Sequence, residues 1–384
     1  MTMTAYSALP PEAQVYYDKR FELKAKPSLL FYDNGQKRPM PKGEGGTVYF
    51  KRYLPKSART TAITEATDGG ITPSGMTSQE FTATVLPYGD YDQLTLRAKM
   101  TMSDQDLREA TDVQADQMAL TIDTLIRNTV CAKIDRIRAD NDTTYSVSGT
   151  ADSGTVTTLV DDALTQIDDY WNGGFITITA GTNYGMTRQV SDFVASSDTL
   201  TFAAFPKAMD TTSVYHLVVG TGLVATDIIN NSNVKLAVRQ LRRAKVLTYE
   251  GGFFYGYIDE DTEYDFLDDT KFVAVGEYQD SSTLKSGEIG KWGGVKWIRH
   301  NNAFRESTAG VQGDTAAVRV VPIFGSNAYG VVNLEGGEKK IYVRTWDQLG
   351  QPLPLYHTIG WEAYFTSVVL NSCFAVGIMA GATA

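Results

Sequence analysis

Thr47-Val-Tyr-Phe-Lys-Arg-Tyr53, Leu86-Pro-Tyr-Gly-Asp-Tyr-Asp-Gln-Leu94 and Ser103-Asp-Gln-Asp106 decide how this chain is read. The first two lie in strand-like runs at 47–53, 81–86 and 91–98. These flank a Gly/Pro/Thr-rich stretch, Thr60 to Ser78, with too little apolar surface to fold on itself. Ordering a segment costs roughly 1–2 kcal/mol of backbone entropy per residue, so an arm of this kind needs a partner, and a neighbouring copy of the same chain is the natural one. Ser103 with acidic residues behind it is a helix start signal. Leu107, Ala110, Met118, Ile122, Leu125, Ile126, Thr129, Ala132, Ile134 and Ile137 follow largely at i, i+3 and i+4 spacing, with no Gly or Pro before Gly149. The pattern predicts a spine helix of roughly 30 residues or more, a rod of about 50 Å.

Composition changes abruptly on the far side of that helix. From Asn141 the chain turns to Ser, Thr, Asp and Gly with short alternating runs at 174–179, 186–190, 199–205 and 213–219, the pattern of a small all-β module. Helical patterning resumes directly after it, so the module reads as an insertion in a larger α+β unit. A helix is expected over Ser232 to Val246, with Val234, Ala237, Val238, Leu241 and Ala244 on one face and Arg239, Arg242, Arg243 and Lys245 on the other. Strands are expected at 253–258, 271–275, 294–298, 317–323 and 341–343. Upstream of the arm, residues 1–46 form a partly helical leader broken by Pro27, Gly35, Pro39, Pro41 and the glycines of 43–46. No period marks a solenoid or propeller.

The chain has 384 residues, 42% hydrophobic and 21% charged, which is ample for a buried core. Its formal charge of −10 is uneven: residues 141–219 hold nine Asp, no Glu, one Arg and one Lys, a net of −7. Phosphate binding draws on Lys and Arg displacing counterions, and no block of the sequence supplies a basic surface, so direct, tight nucleic-acid binding is not expected. An acidic wall can still enclose DNA that something else drives in. Cys131 and Cys373 are isolated and read as reduced, buried thiols. The N-terminus has neither the basic nor the apolar region of a secretory signal. Ala363 to Ala384 is uncharged, but Thr366, Ser367, Asn371 and Ser372 interrupt it, so a buried terminal strand is expected there and no membrane span.

Several motifs imitate chemistry. Gly220-Thr-Gly222-Leu-Val-Ala225 follows a strand as a dinucleotide loop would, yet Asn230 to Asn233 intervene before the apolar stripe of the next helix, and the acidic residues Asp259 and Glu260 lie too far on. These glycines read as the exit hinge of the module. The acidic run Asp259, Glu260, Asp261, Glu263 and Asp265 lacks the Gly and terminal Glu of a calcium loop and reads as the solvated first turn of a short helix. His216, His300 and His357 have no second ligand at metal-site spacing. Neither a nucleophile elbow nor a P-loop occurs. Tyr170, Trp171, Phe175 and Tyr184 could line a sugar groove, although core packing is the more usual use of such aromatics.

Taken in order, the segments 47–53, Ile63-Thr-Glu-Ala-Thr-Asp-Gly-Gly-Ile-Thr-Pro73, 86–94, Val321-Pro-Ile-Phe-Gly-Ser-Asn-Ala-Tyr-Gly330 and His357-Thr-Ile-Gly-Trp-Glu-Ala-Tyr-Phe365 resemble the major capsid proteins of tailed double-stranded DNA bacteriophages, which have the Hong Kong 97-like fold. The resemblance covers most of the chain outside 141 to about 220. It implies an N-terminal arm (1–46), an extended β loop (47–100), a peripheral domain (101–140 and 341–384) built on the spine helix, an axial domain (221–340), and an inserted all-β domain (141–220) projecting outward.

The expectation is therefore a structural, non-enzymatic subunit without cofactor or metal, self-assembling into hexamers and pentamers of an icosahedral shell around DNA. Such a virion component is expected to assemble in the host cytoplasm, with scaffolding, portal and decoration proteins as possible further partners. Ile63, Pro73, Tyr88 and Tyr91 are the expected intersubunit contacts. The alternatives are a cargo-enclosing bacterial compartment and a carbohydrate-binding protein that uses the inserted domain.

Overall fold

The structure is a computed structural model that describes residues 29–54 apart from 42 and 44, then 56, 58, 60, 75–95, 106–267 apart from 250, 288–305, 318–335, 339–344 and 356–381. The elements of the first half are α1 (Leu30–Asn34), β1 (Gln36–Met40), β2 (Thr47–Tyr53), β3 (Ser78–Thr84), β4 (Leu86–Thr95), α2 (Asp106–Cys131) and β5 (Asp135–Arg138). The module contributes β6 (Ser146–Thr150), β7 (Ser153–Gly154), β8 (Thr158–Val160), β9 (Phe175–Ala180), β10 (Thr187–Val194), β11 (Thr199–Phe202) and β12 (Val214–Val218). Then come α3 (Asn231–Arg243), β13 (Phe254–Ile258), α4 (Glu260–Leu267), β14 (Glu288–Trp292), β15 (Val295–Arg299), β16 (Phe304–Arg305) and β17 (Arg319–Phe324). The chain closes with β18 (Tyr329–Leu334), β19 (Lys340–Arg344), β20 (Tyr356–Val369) and β21 (Ala375–Ala380).

Three larger sheets and one hairpin organise the described residues. One sheet runs β1-β18-β20-β19, with β4 laid antiparallel along β20 from Tyr356↔Thr95 to Phe365↔Leu86. The second runs β14-β15-β13-β17-β21-β5, with β16 on β17, and the third is the module, β6-β12-β9-β10-β11-β8-β7. β2 and β3 pair as a separate two-stranded ribbon. Helix α2 buries Ala115, Met118, Ala119, Ile122, Ile126 and Val130 in one core with Trp361, Ala363 and Phe365 of β20. Gln114 and Gln117 on α2 donate to Asp92 and Asp90 of β4, both at 2.6 Å. Helix and strand are thus riveted by polar as well as apolar contacts.

The spine helix is shorter than the sequence periodicity suggests: 26 residues, about 39 Å at 1.5 Å per residue. The expected start at Ser103 lies outside the described residues. At the other end Ile134 and Ile137 keep helical spacing by coincidence. Asp135 to Arg138 instead form a parallel strand beside β21, and all four residues are buried. Pairing a fully buried strand satisfies backbone groups that could not otherwise reach water, and here it outweighs local helix preference. The C-terminal apolar run becomes two strands: β20, a 3₁₀ turn at Ser372–Phe374, and β21, whose six residues are all buried. Cys131 and Cys373 are free and buried, and burial pushes the Cys131 thiol up to about 12.

Helix α3 starts where the polar Asn stretch stands, because Asn230 and Asn233 form a reciprocal capping box. Its apolar face, Val234, Ala237, Val238 and Leu241, packs on the second sheet. The acidic run at α4 corrects the solvated reading: Asp259, Glu263 and Asp265 are buried. Glu263 accepts from Arg299 at 2.6 Å, and Asp259 and Asp261 accept from Arg319. Strand candidates at 271–275 lie outside the described residues.

Candidate assembly surfaces and the module junction

The module is joined to the body through buried cations. Arg136 on β5 donates to the Cys131 carbonyl at 2.9 Å and lies 3.7 Å from the Phe175 ring centre, so a fully buried guanidinium rests on the first long strand of the module. Burial pulls its pKa down to about 9 against the opposing pull of Cys131 and Asp135. Arg138 pairs with Asp140 (3.0 Å), donates to the carbonyls of Val219 (2.5 Å) and Thr221 (2.9 Å), and stacks over Tyr145. Both covalent connections, near 139–146 and 218–222, are therefore held by one side chain. His216 on β12 bridges Asp135 (3.0 Å) and Ser146 (3.1 Å). Burial lowers its pKa and Asp135 raises it, and the net shift is upward. Gly222, at φ +80°, has the Tyr145 ring where its Cβ would point, so the glycines serve this hinge.

The base of the arm is held to body and module by Arg52. Its guanidinium donates to the carbonyls of Leu370 (2.6 Å) and Tyr184 and to Gln79, and it sits near the Phe81 and Tyr184 rings. Gly185 makes that convergence possible: at φ +69°, a Cβ there would lie 2.1 Å from Asn371 Oδ1 and 2.9 Å from Arg52. The β2–β3 ribbon packs Phe50 and Ala83 inward on Met40 and Val332. Its opposite face exposes Tyr49 (61%) and Tyr53 (56%) with Lys51 and Glu80 between them. Val113 and Leu120, seven residues apart and thus on one stripe of α2, are exposed as well.

Of the four expected contact residues, Ile63 and Pro73 lie outside the described residues. Tyr91 is 62% exposed on β4. Tyr88, three residues earlier and so on the opposite face of the strand, is half-buried with its ring 4.9 Å from Phe365. The aromatics weighed as a sugar platform are packed instead: Trp171 is fully buried and donates to Gln166 at 3.1 Å, Phe175 lies under Arg136, and Tyr170 stacks on Tyr145. Asp152, Asp161 and Asp162 bring carboxylates within 4.8 Å of one another. Asp161 accepts from Tyr215 (2.7 Å) and the Ala163 amide, and Asp152 from the Asp162 amide, so the cluster closes its own turns. Among the described residues no helix is long and apolar enough to cross a membrane. Sequence reading missed Arg52, Arg136 and Arg138 as junction residues; the buried alternation Asp135-Arg-Ile-Arg138 was hidden inside a helical spacing.

No protein-family model matches the sequence, and no curated protein matches it either. Solved structures do. The chain superposes on the capsid of Ralstonia phage GP4 with a TM-score of 0.57 at 11% identity, covering 92% of this chain and 91% of that one. The capsid structure of the cyanophage P-SCSP1u gives 0.53 at 13% identity over 92% and 89%. The cyanophage Pam1 capsid asymmetric unit gives 0.53 at 13% over 89% and 86%. Identity this low carries the fold and nothing finer, but nearly the whole length of each chain is matched. In agreement with the resemblance read from the sequence, this mixed α+β chain has the bacteriophage capsid-protein fold.

Proposed function

We propose that the chain is the major capsid protein of a tailed bacteriophage, with the Hong Kong 97-like plan of arm, extended loop, spine helix, peripheral and axial domains and inserted β domain. Copies assemble as hexamers and pentamers into an icosahedral shell that encloses double-stranded DNA in the virion. The observation that carries this reading is the match over 92% of the chain to the capsid of Ralstonia phage GP4. The ribbon with its outward Tyr49 and Tyr53 supports it, because a thin two-stranded element with one apolar side already used needs a second surface to cover the other. Ile63, Pro73, Tyr88 and Tyr91 are the proposed contacts, and scaffolding, portal and decoration proteins are the further partners this reading implies. Its action is physical: many modest contacts per copy make loss of a single subunit rare. Catalysis has no place in it.

Negative-stain electron microscopy of the purified full-length protein, with size-exclusion chromatography, tests the reading. Closed shells, or rings of five and six, are expected. A species that stays monomeric at high concentration and also when coexpressed with the scaffolding protein of its own genome would overturn it.

A further inference from the structure

The nine residues Lys235 to Arg243 carry four cations, so one block of the chain does supply a basic surface, against the expectation read from the overall charge. Lys235, Arg239, Arg242 and Arg243 project from the outer face of α3 and line an open cleft of about 410 Å³ with Val238 and Gly293 of the β14–β15 turn. All four cations are exposed, and none has an ion-pair or hydrogen-bond partner among the described residues. The helix has no acidic residue at all. The negative end of the helix dipole favours Arg242 and Arg243 in the last turn, but it does not reach Lys235 and Arg239. Lys235, Arg239 and Arg243 stand at i, i+4 and i+8, a row of like charges that weakens an isolated helix. An external anion would relieve that repulsion.

We propose that this cleft binds the phosphodiester backbone of double-stranded nucleic acid without reading its sequence, an inference resting on the reading of a shell that encloses DNA. Lys235 to Arg243 span about 12 Å at 1.5 Å per residue, and phosphates recur every 3.4 Å of axis along one strand, so the row faces three or four successive phosphates. Arginine forks also suit phosphate oxygens. The acidic module of a second copy is the poorer occupant, because Asp142, Asp152, Asp161, Asp168, Asp169 and Asp210 each already accept a hydrogen bond inside their own module.

The test is fluorescence anisotropy of a 30-bp duplex with the full-length protein from about 50 to 200 mM salt. The triple variant Arg239→Gln, Arg242→Gln, Arg243→Gln is compared with its charge-keeping counterpart Arg239→Lys, Arg242→Lys, Arg243→Lys and with Lys51→Gln on the arm ribbon. Circular dichroism checks that each is folded. The first variant is expected to lose at least about tenfold in affinity at low salt and to flatten the log–log salt slope by about 2.7, at about 0.9 per phosphate contact. The other two are expected to keep both. Unchanged binding in the Gln variant overturns the inference, as does a cleft-dependent complex with polyglutamate and none with duplex. Electron microscopy of the same samples separates the two readings: shells with cleft-independent DNA binding sink only the cleft, and cleft-dependent binding without any particle counts against the shell alone.

Discussion

The inserted module and the arm ribbon are both β structure, yet they are stabilised in opposite ways. The module closes on itself: Trp171, Ile176, Phe193, Leu200, Phe202 and Tyr215 form its own buried core, and its aspartates cap its own turns. The ribbon has a single apolar side, filled by residues of β1 and β18 and the end of β20, and its other side exposes two tyrosines. One region carries its own buried core, whereas the other is ordered by what it touches. Under the proposed shell function, that difference would let the module keep its shape while the arm adapts to a neighbouring copy.

The largest effect is expected where the module's autonomy is attacked directly. Trp171→Ala empties a fully buried site and should destabilise the module by about 3–5 kcal/mol. Chemical denaturation followed by limited proteolysis should show residues 141–220 cleaved first while the body persists; a single concerted transition would erase the distinction between module and body. Gly185→Ala comes next, since it forces a side chain into Asn371 and Arg52 from a positive-φ position. A loss of about 1–3 kcal/mol is expected, and hydrogen exchange should locate it at the seam of arm and module. Tyr88→Asp and Tyr91→Asp sharpen the contrast within one strand. Tyr88 packs on Phe365, so its replacement should cost the isolated subunit about 1–3 kcal/mol. The exposed Tyr91 should change subunit stability by no more than about 0.5 kcal/mol and show itself only as a reduced yield of particles. Equal melting temperatures for the two variants would contradict that assignment.

The smallest effect is a matter of pH. His216 has a folded-state pKa raised above its ordinary 6.5 by Asp135 in spite of burial. Its contribution to the junction is therefore complete below about 6.5 and fades as pH rises through the higher folded value. Exchange protection of β6 and β12 should weaken over that window in the wild-type protein and stay flat in His216→Gln. The same slope in both proteins would assign the pH dependence to another group.

Much of this was legible from residue order. The alternating runs of 174–219, the strands at 47–53 and 253–258, the helix over 232–246 and the isolated thiols all follow from local pattern, because period-2 and period-3.6 burial and scattered cysteines leave their mark within a few residues. Local pattern misled at Ile134 and Ile137, where apolar spacing continues the helix on paper while β21, more than 230 residues away in sequence, offers a strand edge. It misled again at Asp259 to Asp265, since the arginines that allow those carboxylates to be buried come from β15 and β17. The sequence by itself determined where elements of β and α character lie, how charge is apportioned, and that an extended arm precedes a long helix. Only the tertiary structure decided which strands share a sheet and that Arg52, Arg136 and Arg138 bind the module to the body. Those outcomes depend on groups far apart in sequence meeting in a low-dielectric interior or on one surface, and no local period records such a meeting.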